Sequence, residues 1–282
     1  MNYYSIIKGD FLRRTRSYAF LVTMAITLWA AYVLVPPVEA SYTTLNVVGF
    51  KGAYNSAWVG HVSAMMVSIL IFLFGFFLVN NSIKKDEETE VGLILASTPV
   101  SNFQYLFSKA VGNFLVLLSI VSVVFLSNII ICLWRAGVSS FHLSDFVLPY
   151  SLIVLPVLCV ISTMAVIAEV FSGKRIAVQY LLWFFIFVFS VTYIVSALPS
   201  NGIVMLDIFG VKSVMMSIQR SISEQFHTDI KGVAIGYSGS GVYKVFQWEG
   251  SSMESLLYYW SPVLDCLWLC WSCDCLAVLS SF

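Results

Sequence analysis

The chain has 282 residues, of which 59% are hydrophobic and 11% charged, and its mean hydropathy is +0.88. A soluble domain carries about 25% charged residues, so the composition excludes an ordinary soluble protein and describes a polytopic membrane protein whose solvent is the lipid bilayer. The 15 basic and 15 acidic residues cancel, and a net charge of zero gives no field to draw nucleic acid as a partner.

Met1 to Arg16 reads as an amphipathic helix. Tyr4, Ile7 and Phe11 share a face at helical spacing, and Lys8, Arg13, Arg14 and Arg16 supply positive charge. Such a helix lies in the interface ahead of a first span. The alternative is the n-region of a signal peptide, with Val38-Glu39-Ala40 as a small-residue cleavage site. Against it, the apolar run Tyr18–Val35 is longer than the usual signal core of about 7–15 residues. That run is just long enough to cross a ~30 Å hydrocarbon core at ~1.5 Å per residue, and Pro36-Pro37 ends it. A loop from Val38 to Ala57 follows, with Gly49 and Gly52. The second span is about Trp58–Val79, with Trp58 as an interfacial anchor and His61 as a satisfied histidine near its outer end.

Lys84 to Lys109 is a polar, charged, helix-like connector between two apolar runs. Asp86, Glu87, Glu88 and Glu90 cluster where a first helical turn is expected, and carboxylates there favour the positive end of the helix dipole. Val91, Ile94, Leu95 and Thr98 follow at helical spacing, with Ile94 and Leu95 on one face. Pro99 stops that helix. Ser101 restarts one, with Gln104 reaching back in a capping box.

The run Leu95-Ala96-Ser97-Thr98-Pro99-Val100-Ser101, followed by Tyr105-Leu106 and Lys109, resembles the first cytoplasmic loop of type-2 ABC transporter permeases. Where many members carry Gly-Thr-x-Glu, this chain has Glu87-Glu88-Thr89-Glu90-Val91-Gly92. The likeness in span layout extends to about Ala197. It implies that the loop is a coupling helix seated on a separate ATP-binding subunit, through Glu87, Glu88, Glu90, Ile94, Leu95, Thr98, Pro99, Ser101 and Lys109. It implies an N-terminal elbow helix, a dimer of six-span halves formed with a second copy or a homologous permease, and residence in the inner membrane of a bacterium. ATP hydrolysis belongs to the partner, and no cofactor or metal is called for in this chain.

Further spans are expected at about Ala110–Trp134, Phe146–Phe171 and Ile176–Ala197, with kinks at Pro149 and Pro156. Asn113 and Asn128 are suited to interhelical hydrogen bonds. Glu169 lies near the inner end of the fourth span, with Lys174 and Arg175 in the turn after it. It either pairs or is solvated there, or it makes a gating contact with the connector. In Leu198–Glu254, Val214, Ile218, Ile222 and Phe226 form one apolar stripe, and five glycines from Gly232 to Gly250 argue for turns. A surface helix on the outer leaflet is the favoured reading, a cap over an exit path the sharper one. Ser255–Phe282 makes a sixth span, although Asp265 and Asp274 fall inside it; an atypical or frame-shifted gene end after about Pro262 is the alternative. Cys270-x-x-Cys273-x-Cys275 lacks a fourth ligand for a metal.

Orientation follows from lysine and arginine. Lys8, Arg13, Arg14, Arg16, Lys84, Lys85, Lys109, Lys174 and Arg175 fall on one side, against Lys51 and Arg135 in short loops on the other. The basic side is the cytoplasm, which places both termini and the connector inside. No Walker pattern, H-E-x-x-H or G-x-S-x-G occurs in the sequence. The expectation is thus an all-α polytopic membrane protein of six spans in one permease domain, 1–282, and not an enzyme. A non-transporting scaffold or assembly factor is the second reading, and an intramembrane enzyme the third.

Overall fold

A computed structural model describes residues 3–36, 40, 43–47, 49–89, 101–136, 141–173, 175–197, 207–227, 234–238 and 243–251. The chain is mostly helical. Helices α1 (Tyr3–Thr15) and α2 (Tyr18–Leu34) meet at a 68° bend. The Ser17 hydroxyl accepts from Phe20 N–H at 3.3 Å and starts the second of them. Helix α3 (Ser56–Val79) is capped by Asn55, whose side-chain oxygen accepts from Trp58 N–H at 2.8 Å. It breaks at Asn80-Asn81, where Asn81 takes the left-handed conformation (φ 68°), and continues as the short α4 (Ser82–Glu88).

Helix α5 (Asn102–Ala136) begins with the expected capping box. Gln104 N–H donates to Ser101 Oγ at 3.2 Å, and Ser101 N–H donates to Gln104 Oε1 at 3.3 Å. Next come α6 (Ser144–Pro149), a π-helical turn (Tyr150–Val154), α7 (Leu155–Ser172), α8 (Ile176–Ala197) and α9 (Val211–Phe226). Pro149 precedes the π turn, which accommodates the amide that proline lacks. Pro156 sits in the first turn of α7, where its missing N–H is harmless.

Among the described residues, four stretches are long and apolar enough to cross a membrane: Ser56–Glu88, Asn102–Arg135, Ser144–Ser172 and Ile176–Ser196. The bent pair α1–α2 makes a fifth when its two arms count as one span. The expected sixth, Ser255–Phe282, lies outside the described residues.

Helix α3 is the axis of the bundle, with α2, α5, α6, α7 and α8 packed around it. Its Ile71, Phe72 and Phe76 are buried. Phe76 stacks on Trp183 of α8 at 4.3 Å, and Trp183 Nε1–H donates to Phe72 O at 2.9 Å. In contrast, α8 turns Leu181, Leu182, Phe184, Phe185 and Phe189 outward. An outward apolar face of that extent matches lipid as its neighbour and not water. Inside the bundle, Asn128 Nδ2–H donates to Tyr150 OH at 3.0 Å, and Tyr150 OH donates to Ser63 Oγ at 3.3 Å. Asn113 Nδ2–H reaches Ser162 O at 3.4 Å. These bonds join α5 to α3, the π turn and α7.

Gly60 brings α3 against α6 with no space for a side chain: a Cβ there would lie 2.2 Å from Asp145 O. The obstacle is backbone, so the two helices must separate to admit it. Gly60→Ala is expected to cost about 1–3 kcal/mol, read as a lowered unfolding temperature of the detergent-solubilised chain beside Gly75→Ala, where the nearest neighbour is a flexible leucine terminus at 3.0 Å.

The fold is compatible with the expected all-α membrane class, and beside the helices four short strands stand among the described residues at the Ser56 end of α3: β1 (Thr43–Asn46), β2 (Phe50–Gly52), β3 (Ala234–Ser238) and β4 (Lys244–Phe246). β1 pairs antiparallel with β3, and β2 pairs parallel with β4. The two glycine-bearing loops expected to be irregular thus pair with each other. They also clamp the end of α3. Ala53 N–H donates to Phe246 O at 2.8 Å, Asn55 Nδ2–H to Trp248 O at 2.8 Å, and Trp58 meets both Phe246 and Trp248 edge-on. His61 is buried and satisfied, with Nδ1 2.9 Å from Ala57 O and Nε2 accepting from Ser251 N–H at 3.4 Å. Lys51 on β2 donates to Ala40 O at 3.2 Å, and burial pulls its ammonium below the usual lysine value, opposed by Tyr243.

Candidate functional site

At the opposite end of α3, three elements bring ionisable groups into one buried cluster. Helix α1 contributes Asp10 and Arg14 one turn apart, with Arg13 at the rim. Helix α4 contributes Asp86, and α5 contributes Tyr105 and Lys109 one turn apart. Asp10, Arg14, Asp86 and Lys109 are 5%, 6%, 5% and 1% exposed. Charges so buried persist only when paired and hydrogen-bonded.

The pairing is dense. Lys109 Nζ lies 2.6 Å from Asp86 Oδ2 and 3.5 Å from Asp10 Oδ1. Tyr105 OH donates to Asp86 Oδ2 at 3.0 Å. Arg13 bonds Asp10 and reaches Asp86 Oδ1 at 3.5 Å. Arg14 Nη2 is 3.2 Å from Asp10 Oδ2, an ion pair without hydrogen-bond alignment. Arg14 Nη1–H donates instead to Val79 O at 2.8 Å, so a cation closes the C-terminal end of α3, where it complements the helix dipole.

A second set of bonds holds α4 from the other side. Glu169, in the last turn of α7, accepts from Ser82 N–H at 2.8 Å, Ile83 N–H at 2.7 Å and Ser82 Oγ–H at 3.2 Å. A carboxylate from another helix therefore caps the N-terminus of α4. Asn80 Nδ2–H donates to Gln179 Oε1 at 2.7 Å and Asn81 Nδ2–H to Tyr180 OH at 2.8 Å, which ties the α3–α4 break to α8. The arrangement is a mechanical junction in which α4 is gripped by α1 and α5 on one side and by α7 and α8 on the other.

Several expected residues fall here, and some stand elsewhere. Lys109 is at the centre of the cluster, and Glu169 of α7 caps the N-terminus of α4. Ser101 opens α5. Glu87 and Glu88 are exposed at the C-terminal end of α4, where Glu88 meets Lys84 at 3.4 Å. The expectation that the acidic residues form a first helical turn is thus corrected: α4 starts at Ser82, and its first turn carries no acid. The break at Asn81 sets that start, and Glu169 supplies the negative charge the dipole favours. Arg175 is exposed, with its backbone N–H on Ser172 O at 3.2 Å. Glu90, Ile94, Leu95, Thr98, Pro99 and Lys174 lie outside the described residues. Asp10 and Arg14 were not singled out by sequence reasoning as a pair. Their signal was an opposite-charge spacing of four residues on the face that the helix buries.

The cap on α4 has a measurable weight. Glu169→Gln keeps one acceptor but turns an amide N–H toward a backbone donor. The expected loss is about 2 kcal/mol, the scale of a hydrogen bond to a charged acceptor, read from chemical unfolding in detergent beside the exposed control Glu224→Gln. Equal stability of the two variants would show that the cap carries no weight.

The chain matches no family model, no curated protein and no solved structure.

Proposed function

We propose that the chain is the membrane-spanning permease subunit of an ATP-driven exporter. It pairs with a second copy or a homologous permease to enclose the substrate pathway, and it is driven by a separate ATP-binding subunit. In this reading the charged end of the bundle faces the cytoplasm of a bacterium, and Lys84–Lys109 is the coupling connector.

The observation that carries the reading is the buried cluster around Asp86 and Lys109. Asp86 stands near the start of the connector and Lys109 at its end. Their 2.6 Å ion pair joins the two legs of the connector at its base, and Asp10 and Arg14 fasten α1 to the same point. A push on the connector is then delivered to α3 and α5 together. A solvated inter-span loop has no need of such a base, because burying four charges is costly unless geometry is maintained.

The test is co-purification of the ATP-binding subunit, with ATP turnover measured in membranes, for Leu95→Asp beside the parent chain. Loss of the subunit with the permease still inserted is expected. Full retention of binding and turnover would move the function to a membrane scaffold.

A further inference from the structure

The charge cluster and its rim carry more positive than negative charge. Arg13, Arg14, Lys85 and Lys109 are gathered around Asp10, Asp86 and Glu169. Lys85 is the cation left over. It precedes Asp86 on α4 and is exposed, and among the described residues its ammonium makes no hydrogen bond and no ion pair. It lies within electrostatic reach of Arg14 and Arg13, which repel it, and of Asp10 and Glu169, which attract it. The Arg13 side chain is 37% exposed, with one guanidinium nitrogen shared between Asp10 and Asp86. Arg14 keeps its buried Nη2 without a hydrogen bond. The remaining acids of α4 do not cancel Lys85. Glu88 meets Lys84 at 3.4 Å, and Glu87, two residues on, is on the opposite face of the helix.

The depth of this rim follows from α3. The strands at its Ser56 end stand outside the hydrocarbon, which excludes open sheet edges. Its 24 residues rise about 36 Å, against a hydrocarbon core of about 30 Å and about 40–45 Å with the headgroups. Arg14 donates to Val79 O at the far end of α3, so the cluster lies at the headgroups of the opposite leaflet.

Helix α1 bends 68° away from α2, which lays it near the membrane plane at that depth. Leu12, Arg13 and Arg16 are exposed on α1 within about 100° of one another. Leu12 is 42% exposed, and Tyr18 at the start of α2 is 88% exposed. Basic side chains beside outward apolar ones match a phosphate with its acyl chains.

We propose that Arg13 and Lys85 form a binding site for the phosphate of an anionic phospholipid. Arg16 adds to the field, and Leu12 and Tyr18 meet the acyl chains. The headgroup supplies the negative charge that the cluster lacks, on the two elements, α1 and α4, that the cluster clamps together. Each basic residue at an anionic surface is worth about fivefold in affinity. A zwitterionic headgroup, whose ammonium offsets its phosphate, gains little from the same residues. The site requires a lipid leaflet and no ATP-binding subunit, so its failure and that of the permease reading are separable.

The test is native mass spectrometry of the full chain in detergent, with equal amounts of phosphatidylglycerol and phosphatidylcholine. The parent is expected to retain phosphatidylglycerol about tenfold over phosphatidylcholine. Lys85→Gln is expected to lower that preference about fivefold, and Lys85→Arg to keep it. Arg220→Gln, at an exposed cation of α9, leaves it unchanged. Unfolding in vesicles gives a second readout. Phosphatidylglycerol is expected to raise the unfolding temperature of the parent above its value in phosphatidylcholine, and to do so less for Lys85→Gln. Equal retention of the two lipids by the parent would overturn the proposal, and so would equal losses in Lys85→Gln and Arg220→Gln. Release of phosphatidylglycerol by excess inorganic phosphate would also overturn it, because the site would then take a free phosphate and not a lipid.

Discussion

Replacing Lys109 by methionine is expected to destabilise the bundle by about 3–5 kcal/mol, the cost of removing one partner from a buried ion pair. Methionine matches the length of the lysine stem, so the packing loss is small and the charge loss dominates. What remains is Asp86 at 5% exposure with only a tyrosine hydroxyl at 3.0 Å and a half-exposed arginine at 3.5 Å. Asp10 loses a cation in the same step. The double variant Asp86→Asn with Lys109→Met removes both charges and is expected to recover part of the loss. A coupling energy of about 1–3 kcal/mol should emerge from the cycle, within the range for residues in contact. Chemical unfolding in detergent, followed by tryptophan fluorescence, reads all three variants. A loss below about 1 kcal/mol for Lys109→Met is the range of exposed ion pairs, and would mean that water reaches the cluster.

The span pattern was legible because it rests on long-range hydropathy. Trp58–Val79 and Ile176–Ala197 appear as helices with bounds moved by at most two residues. The capping box at Ser101 and Gln104 was legible because its chemistry is local. The strands were not, since Thr43–Asn46 pairs with the distant Ala234–Ser238 and neither run shows clear alternation. The charge cluster was legible only in pieces. Lys109 stood out at the mouth of a span, and Glu169 stood out within one. The sequence shows Asp10 and Arg14 only as members of a basic interfacial helix in which Tyr4, Ile7 and Phe11 share a face. The structure turns Asp10 and Arg14 inward, where Lys109 of α5 pairs with Asp10 and the Val79 carbonyl of α3 accepts from Arg14. A single helix read alone carries no information on that partner. For the same reason, the amphipathic stripe of α9 shows that one face is buried, but not at what depth.

On the proposal that the chain is a permease, Leu95→Asp is expected to abolish coupling to an ATP-binding subunit, and the size of that effect follows from the chemistry of the connector. Its base is fixed by the ion pair of Asp86 and Lys109. Ile94 and Leu95 share a face in the sequence, and burying two such side chains against a partner is worth about 1.5–3 kcal/mol each. An aspartate at position 95 forfeits one of these and adds the desolvation of a carboxylate, enough to lower affinity by about a hundredfold or more. Glu88 is exposed on α4 and already meets Lys84. Glu88→Gln therefore changes association rate more than affinity, as a rim charge does. Pro99→Ala removes the break that the sequence places between the run ending at Thr98 and the helix that follows Ser101. With the base still clamped, a fused helix would keep its contact surface but lose its bend, so ATP turnover should remain while transport falls. The three variants are distinguished by measuring subunit retention, ATP turnover and cargo movement in the same membranes. A Leu95→Asp chain that retains its subunit and its turnover would show that the clamp at Asp86 and Lys109 serves stability alone.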